Sequence, residues 1–303
     1  MVRRTGEVEL PKLAIKVDID TLRGYREGMP RMLDLFKKHS ITASIFFSFG
    51  PDNSGKAIRR IFRKGFISKM LRTKAPSTYG LKTLLYGTVL PAPLIVPPAP
   101  KVFIRAIEEG HDCGVHSWDH VLVQDKLNEL SKEEFRSLFE KAAHMYEKLS
   151  GVKPTSYAAP GWQVSSMSLE VQQELNLEYC SDARGHSPFI PIFEGKEYNV
   201  PQIPTTLPTM DEILGLSGID DETLPSYWLN GMDKEWNVLT VHAEMEGMSK
   251  LNVFDKFLTM AKERNTEFFT LREYAKISKP VPCSIKTGTL TGRAGTLAVQ
   301  EEI

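Results

Sequence analysis

The sequence predicts an α/β fold whose mostly parallel sheet closes like a barrel. Residues 13–20 (LAIKVDID) are apolar and β-branched for most of their length and end in two carboxylates, the pattern of a buried strand. Residues 30–39 set Met32, Leu33, Leu35 and Phe36 among basic side chains, as a short amphipathic helix does. Residues 42–49 (TASIFFSF) read as a second buried strand, closed by Gly50 and Pro51. Strand, helix, strand in that order is the unit of a parallel sheet.

The same alternation continues along the chain. The clearest helix is 131–150: Ser131 and Glu134 form a capping box, Phe135, Leu138, Phe139 and Ala142 share a face, and Gly151 stops it. Strands are expected at 156–159, 177–180, 199–203, 237–241 and 267–270, with a helix over 252–263. No internal repeat is visible.

Composition bounds the function. The 303 residues are 41% hydrophobic and 25% charged, which excludes general disorder, collagen-like repeats and a disulfide-stapled miniprotein. Thirty-eight basic residues balance 38 acidic ones, so no global field draws the chain to nucleic acid or an anionic surface. Cys113, Cys180 and Cys283 are odd in number and show no CxxC spacing, as expected of free thiols in a reducing compartment. The first dozen residues carry no apolar signal core, and the longest uncharged stretch, 83–100, holds five prolines, which break a spanning helix. The expectation is no transmembrane span and an active site on the cytoplasmic side.

One segment departs from this balance. Residues 53–107 contain no Asp or Glu but eleven Lys or Arg, eight of them between Lys56 and Lys74. The basic residues interleave with Ile58, Ile61, Phe62, Phe66, Ile67, Met70 and Leu71, and a proline-interrupted apolar stretch follows. Such a segment suits the plane of a membrane interface, where each basic side chain contributes about 1 kcal/mol. The alternative is a solvated basic face over a core helix. Nucleic-acid binding is disfavoured, because Phe62 and Phe66 share a helical stripe with Ile58 and Leu71 and form no stacking platform.

Two small motifs carry chemistry. Asp18 and Asp20 lie at strand spacing, so their carboxylates point the same way. His116 and His120 stand at i, i+4, which on a helical turn would bring both imidazoles to one ion. Alone, each pattern is weak. Together they supply a carboxylate and two imidazoles as ligands, with a second carboxylate left over as a base.

These residues resemble the polysaccharide deacetylases, the NodB-homology domains of carbohydrate esterase family 4. The acidic pair Asp18 and Asp20 matches that family's first motif, GHDCGVHSWDH over 110–120 its second, and the strand end at His242 its last. Its RxPxG motif falls at 158–162, with Ala158 in place of the arginine. The stretches 18–28, 44–53, 69–72, 181–185, 206–209, 242–247 and 291–293 further resemble members that act on a lipid-linked formamido sugar.

The resemblance implies a distorted (β/α) barrel of the NodB-homology type, forming one catalytic domain over 1–303. Residues 53–100 would be a membrane-facing insertion and 280–303 a C-terminal tail. It implies a divalent ion on Asp20, His116 and His120, zinc in the first instance, with cobalt, nickel or manganese able to replace it. Asp18 would act as base and His242 as acid, with Asp182 paired to His242. The substrate would be 4-deoxy-4-formamido-L-arabinose on undecaprenyl phosphate, hydrolysed to formate and an amino sugar for lipid A modification. Contact with the cytoplasmic face of the inner membrane would run through 56–98.

Alternatives stand beside several of these roles. Asp18 either takes the proton or orients a ligand, and Asp182 either pairs or caps a turn. Arg23 and Arg26 grip phosphate or are solvated; Arg184 replaces the missing arginine's charge or binds phosphate. Trp162 stacks on the sugar or packs in the core, and Glu244 and Glu246 hold the new ammonium or lie at the surface. Cys113 on a strand points away from His116 and is no ligand. The competing functions are deacetylation of another acyl-amino sugar or of peptidoglycan, and non-catalytic binding of a lipid-linked glycan.

Overall fold

A computed structural model describes residues 10–57, 82–233 and 235–301. The expected basic helix over 56–74 lies almost wholly within 58–81, outside the described residues.

The first strand sets the architecture. In β1 (Lys12–Ile19) every second side chain, Leu13, Ile15, Val17 and Ile19, enters the large core under the helices. The alternate set faces the inside of a curled sheet, where Ala14 packs with Phe46, Ala158, Tyr179, Ile203 and Val238. Both faces are buried, as parallel sheets require. β2 (Ser44–Ser48), β3 (Asp112–Ser117), β4 (Ser156–Tyr157) and β5 (Tyr179–Cys180) follow in order on one side of β1. β8 (Asn237–His242) lies on the other side, and β9 (Glu267–Phe269) pairs with the beginning of β1. All these pairs are parallel.

Between β5 and β8 the barrel is closed irregularly. The expected strand at 199–203 is replaced by bridges: Cys180 N–H donates to Pro201 O, Ile203 N–H to Cys180 O, and Thr206 and Leu207 N–H to Val238 O. Pro201 and Pro204 lack the amide a ladder needs, which explains the broken strand.

A second sheet joins β6 (Phe189–Phe193), β7 (Lys196–Glu197), β10 (Val281–Gly288) and β11 (Leu297–Gln300). The segment expected as a tail is thus built into the fold. β10 adds to β6 in parallel, and Arg184 N–H donates to Ala298 O of β11.

The helices form where their caps predict. Lys132–Ser150 starts at the Ser131–Glu134 capping box, ends on Gly151 at φ 78°, and buries Phe135, Phe139, Ala142 and Tyr146. Met29–His39 and Leu251–Glu263 pack together through Phe36 and Phe254, whose rings meet edge to face at 6.2 Å. The helix Leu271–Ile277 plugs the N-terminal end of the barrel, where Arg272 Nε donates to buried Asp112 at 2.9 Å. No helix among the described residues is long and apolar enough to cross a membrane.

Candidate active site

Asp18, Asp20, His116, His120, Trp162, Asp182, Arg184 and His242 all lie at or just beyond the C-terminal ends of the parallel strands, the end where barrel enzymes carry their chemistry. Asp20, His116 and His120 converge there, with ligand atoms all within 4.8 Å of one another. Asp20 Oδ1 stands 3.3 Å from His116 Nε2 and 3.4 Å from His120 Nε2.

The histidine pair is made differently from the expected helical turn. His116 belongs to β3, and His120 is the first residue of the helix His120–Lys126. The junction is held by the N-cap Asp119, which accepts Leu122 N–H at 3.0 Å and Asn53 Nδ2–H at 2.6 Å. A strand-to-helix turn thus brings the rings to 5.1 Å between centroids.

These three residues fit a divalent ion. His116 Nδ1 lies 2.7 Å from Ala158 O, which can only accept, so Nδ1 carries a proton and Nε2 is the nitrogen turned to Asp20. A carboxylate oxygen facing an imidazole lone pair is repulsive unless a proton or cation lies between them. Asp20 Oδ1 is buried and accepts no hydrogen bond among the described residues. One carboxylate and two imidazoles, the buried one oriented by a backbone carbonyl, are a divalent-metal donor set. Burial raises the Asp20 carboxyl, yet the facing His120, His116 and His242 hold it well below the usual carboxylate range.

The loop carrying Asp20 is fixed from beneath. Glu244 Oε1 accepts Asp20 N–H at 3.1 Å, Thr21 N–H at 2.7 Å and Thr21 Oγ1–H at 2.7 Å. Burial and the nearby Asp20 charge push the Glu244 carboxyl up to about 8. Glu244 is therefore neither a surface charge nor, on that oxygen, open to a substrate. Glu246, also buried, accepts His242 N–H at 2.8 Å, and burial raises it to about 7.

Asp18 and His242 are register partners on β1 and β8. Asp18 Oδ2 pairs with Lys16 Nζ at 3.2 Å, while Oδ1 is buried and accepts no hydrogen bond among the described residues. Burial disfavours the His242 imidazolium, but Asp20, Asp211, Glu246 and Asp18 outweigh that and raise its pKa to about 9.

Asp182 has another place than expected. Its Oδ1 accepts Ala159 N–H at 2.7 Å and its Oδ2 accepts Gln172 Nε2–H at 2.7 Å, so both oxygens are engaged by donors other than His242. Asp211 is among the carboxylates that raise His242, and nothing in the local sequence marks it. It follows Thr209, whose hydroxyl donates to it at 2.6 Å beside a second capping box.

The remaining candidates divide. Arg184 is buried, doubly bonded to Glu212 at 2.7 and 2.8 Å, and donates to Thr205 O and Leu207 O, so its donors are engaged within the fold and not turned to a phosphate. Trp162 is 3% exposed, donates Nε1–H to Thr205 Oγ1 at 3.1 Å, and has Arg184 and Arg293 over its ring at 5.2 and 4.5 Å. It packs in the core and leaves no face for a sugar. Arg23, half-buried and paired with Glu27, and the exposed Arg26 lie in and beside the π-helical turn Gly24–Gly28 after β1. Cys113 is buried in the helix-side core, away from the histidines.

The family profile of polysaccharide deacetylase matches residues 11–180, a span that holds Asp18, Asp20, His116 and His120. The chain belongs to the polysaccharide deacetylase family. It is 37% identical over 299 residues to a protein of Shewanella sediminis described as a probable 4-deoxy-4-formamido-L-arabinose-phosphoundecaprenol deformylase, covering 97% of this chain and 96% of that one. A protein of Wigglesworthia glossinidia brevipalpis with the same description is 30% identical over 288 residues, covering 92% and 99%. A solved structure of a probable polysaccharide deacetylase from Pseudomonas aeruginosa PAO1 shares the fold at a TM-score of 0.59 and 14% identity, covering 88% and 90% of the two chains. As a polysaccharide deacetylase, the chain is an enzyme acting on an amide of a carbohydrate. It departs from the RxPxG pattern at Ala158, where only the backbone contributes, through the carbonyl that orients His116.

Proposed function

We propose that this enzyme removes the formyl group from 4-deoxy-4-formamido-L-arabinose carried on undecaprenyl phosphate, releasing formate and the lipid-linked amino sugar for lipid A modification. The observation that carries the chemistry is the placement of Asp18 and His242 side by side next to the Asp20, His116 and His120 cluster. The full-length similarity to two proteins described as that deformylase supports the substrate.

Asp20, His116 and His120 would hold a divalent ion, zinc by the character of its ligands, which polarises the acyl oxygen and acidifies water when bound. Asp18 accepts a proton from water on Oδ1 as the water oxygen adds to the formyl carbon. The amide nitrogen leaves only if it departs neutral, so a proton must reach it as the C–N bond breaks. His242, held charged by surrounding carboxylates, supplies that proton. Asp211 and Glu246 keep the imidazolium available, and Glu244 keeps the Asp20 loop in place. The amine leaves on its carrier and the carbonyl carbon leaves as formate.

The carrier places this reaction at a membrane surface, on the cytoplasmic face of the inner membrane in our reading. The acid-free segment 53–107 supports peripheral attachment there. The test is formate release in detergent from the formamido-arabinose polyprenyl phosphate, with and without chelator, beside the acetamido analogue. Chelator-sensitive formate with little acetate is expected. Acetate would move the substrate to an N-acetyl sugar, and neither product with metal bound would overturn the catalytic reading.

A further inference from the structure

We infer that Lys16 is the positioning cation of the base: its ammonium holds Asp18 Oδ2 so that Oδ1 stays aimed for the proton of water. This rests on the reading of Asp18 as the base. Lys16 sits in the middle of β1 and is wholly buried. The two-residue period of a strand places it on the lumen face with Ala14 and Asp18. A lysine so placed is costly unless its charge is matched, and an apolar chain of the same length would fill the space at less cost.

Its contacts point to orientation. Nζ pairs with Asp18 Oδ2 at 3.2 Å and donates to Ser181 O at 3.2 Å, while the rings of Phe46 and Trp162 flank it at 5.7 and 5.4 Å. The ammonium is thus tethered from three sides: β1, the 181 backbone and two aromatic faces. One carboxylate oxygen of Asp18 is fixed and the other is buried with no hydrogen bond from the described residues, as a base requires.

The neighbourhood explains why the cation comes from β1. Ala158, where the RxPxG pattern has arginine, is buried in the same lumen cluster as Phe46, which Lys16 overlies. The arginines over Trp162, Arg184 and Arg293, both pair with Glu212. A short side chain at 158 and a long cation at 16 fill one interior in complementary fashion.

The test uses Lys16→Met, which keeps length without charge. On the formamido substrate kcat falls roughly a hundredfold, the effect of about 1 Å of misplacement, while KM and bound metal stay at wild-type levels. A second arm needs neither substrate nor metal: melting of metal-free wild type, Lys16→Met, Asp18→Asn and the double variant. Each single variant melts lower than wild type, and the double variant melts higher than Lys16→Met, because no buried carboxylate is left without its cation. Wild-type kcat in Lys16→Met, or additive melting shifts, would overturn the inference. If wild type releases no product, the proposed function fails, and the melting cycle still decides whether Lys16 holds Asp18.

Discussion

Asp18 and His242 are neighbours across two hydrogen-bonded parallel strands, so the groups assigned as base and acid keep their spacing by the sheet ladder itself. Loops can move without separating them. Asp18→Asn and His242→Gln are each expected to lower kcat by ~10²–10⁴-fold with little change in KM. The double variant should lose much less than the product of the two, since groups acting on one transition state are not additive. Steady-state rates with metal content measured in parallel check this; loss of metal in Asp18→Asn would make Asp18 a ligand instead.

His120 approaches Asp20 from the start of a helix and is partly exposed, whereas His116 is buried in β3. Removing His120 should therefore cost metal affinity with less damage to the fold than removing His116. The contact between His116 Nδ1 and Ala158 O survives in His120→Ala, so the remaining imidazole keeps its orientation. A loss of at least ~10-fold in metal affinity is expected, with activity abolished by chelator in wild type and restored by added zinc. Metal titration with a competing chromophoric chelator reads it directly, and unchanged affinity would remove His120 from the ligand set.

Asp211 contributes charge to His242 without sitting near it in sequence. Asp211→Asn should therefore move the alkaline limb of the kcat profile to lower pH, by on the order of one unit, as the imidazolium loses one of its carboxylates. A profile identical to wild type would show that Asp211 only completes the turn at Thr209.

Much of this site could be read from the chain, and the exceptions have physical reasons. β1 and its two carboxylates stand out because buried parallel strands are continuous apolar runs, and Ser131 with Glu134 announces its helix locally. His116 and His120 were legible as a pair but not in geometry, because i, i+4 spacing does not distinguish a helical turn from a strand-to-helix junction. Residues 199–203 look strand-like by composition, and only Pro201 and Pro204 betray the broken ladder. The second sheet is hidden because β10 buries little more than Cys283 and Ile285, too few for a pattern. Asp211 meets His242 through tertiary folding alone. Lys16 was visible in principle, as a charge in a buried strand at the same parity as Asp18.

Burial raises the Asp182 carboxyl to about 6, against hydrogen bonds from Gln172 and Ala159 N–H and the charge of Lys16, which lower it. In the unfolded chain the group releases its proton near the ordinary value of 3.8. Between those values the folded state binds more protons than the unfolded one, so this group's contribution to stability falls as pH rises and then levels. Asp182→Asn removes that slope. Its stability relative to wild type should rise between pH 4 and pH 7 by up to about 3 kcal/mol, read from urea midpoints. Gln172 Oε1, buried and unpartnered among the described residues, can turn to accept the new amide. Parallel midpoints at both pH values would show that Asp182 is ionised throughout.

The turns Gly24–Gly28 and Met245–Ser249 meet so closely that a Cβ on Gly28 would lie 1.9 Å from Ala243 O. That oxygen is backbone, in the residue after His242, and it cannot swing aside as a side chain could. Gly28→Ala must therefore shift either the loop after β1, which begins with Asp20, or the end of β8, which carries His242. Overpacking of this kind costs about 1–3 kcal/mol, and displacement of His242 by a fraction of an ångström should lower kcat ~10–100-fold. Gly231→Ala is the control, because its Cβ meets only ordinary contacts from 3.5 Å outward. A Gly28→Ala enzyme that melts lower yet turns over at the wild-type rate would show that the two turns support the fold without setting the acid's position.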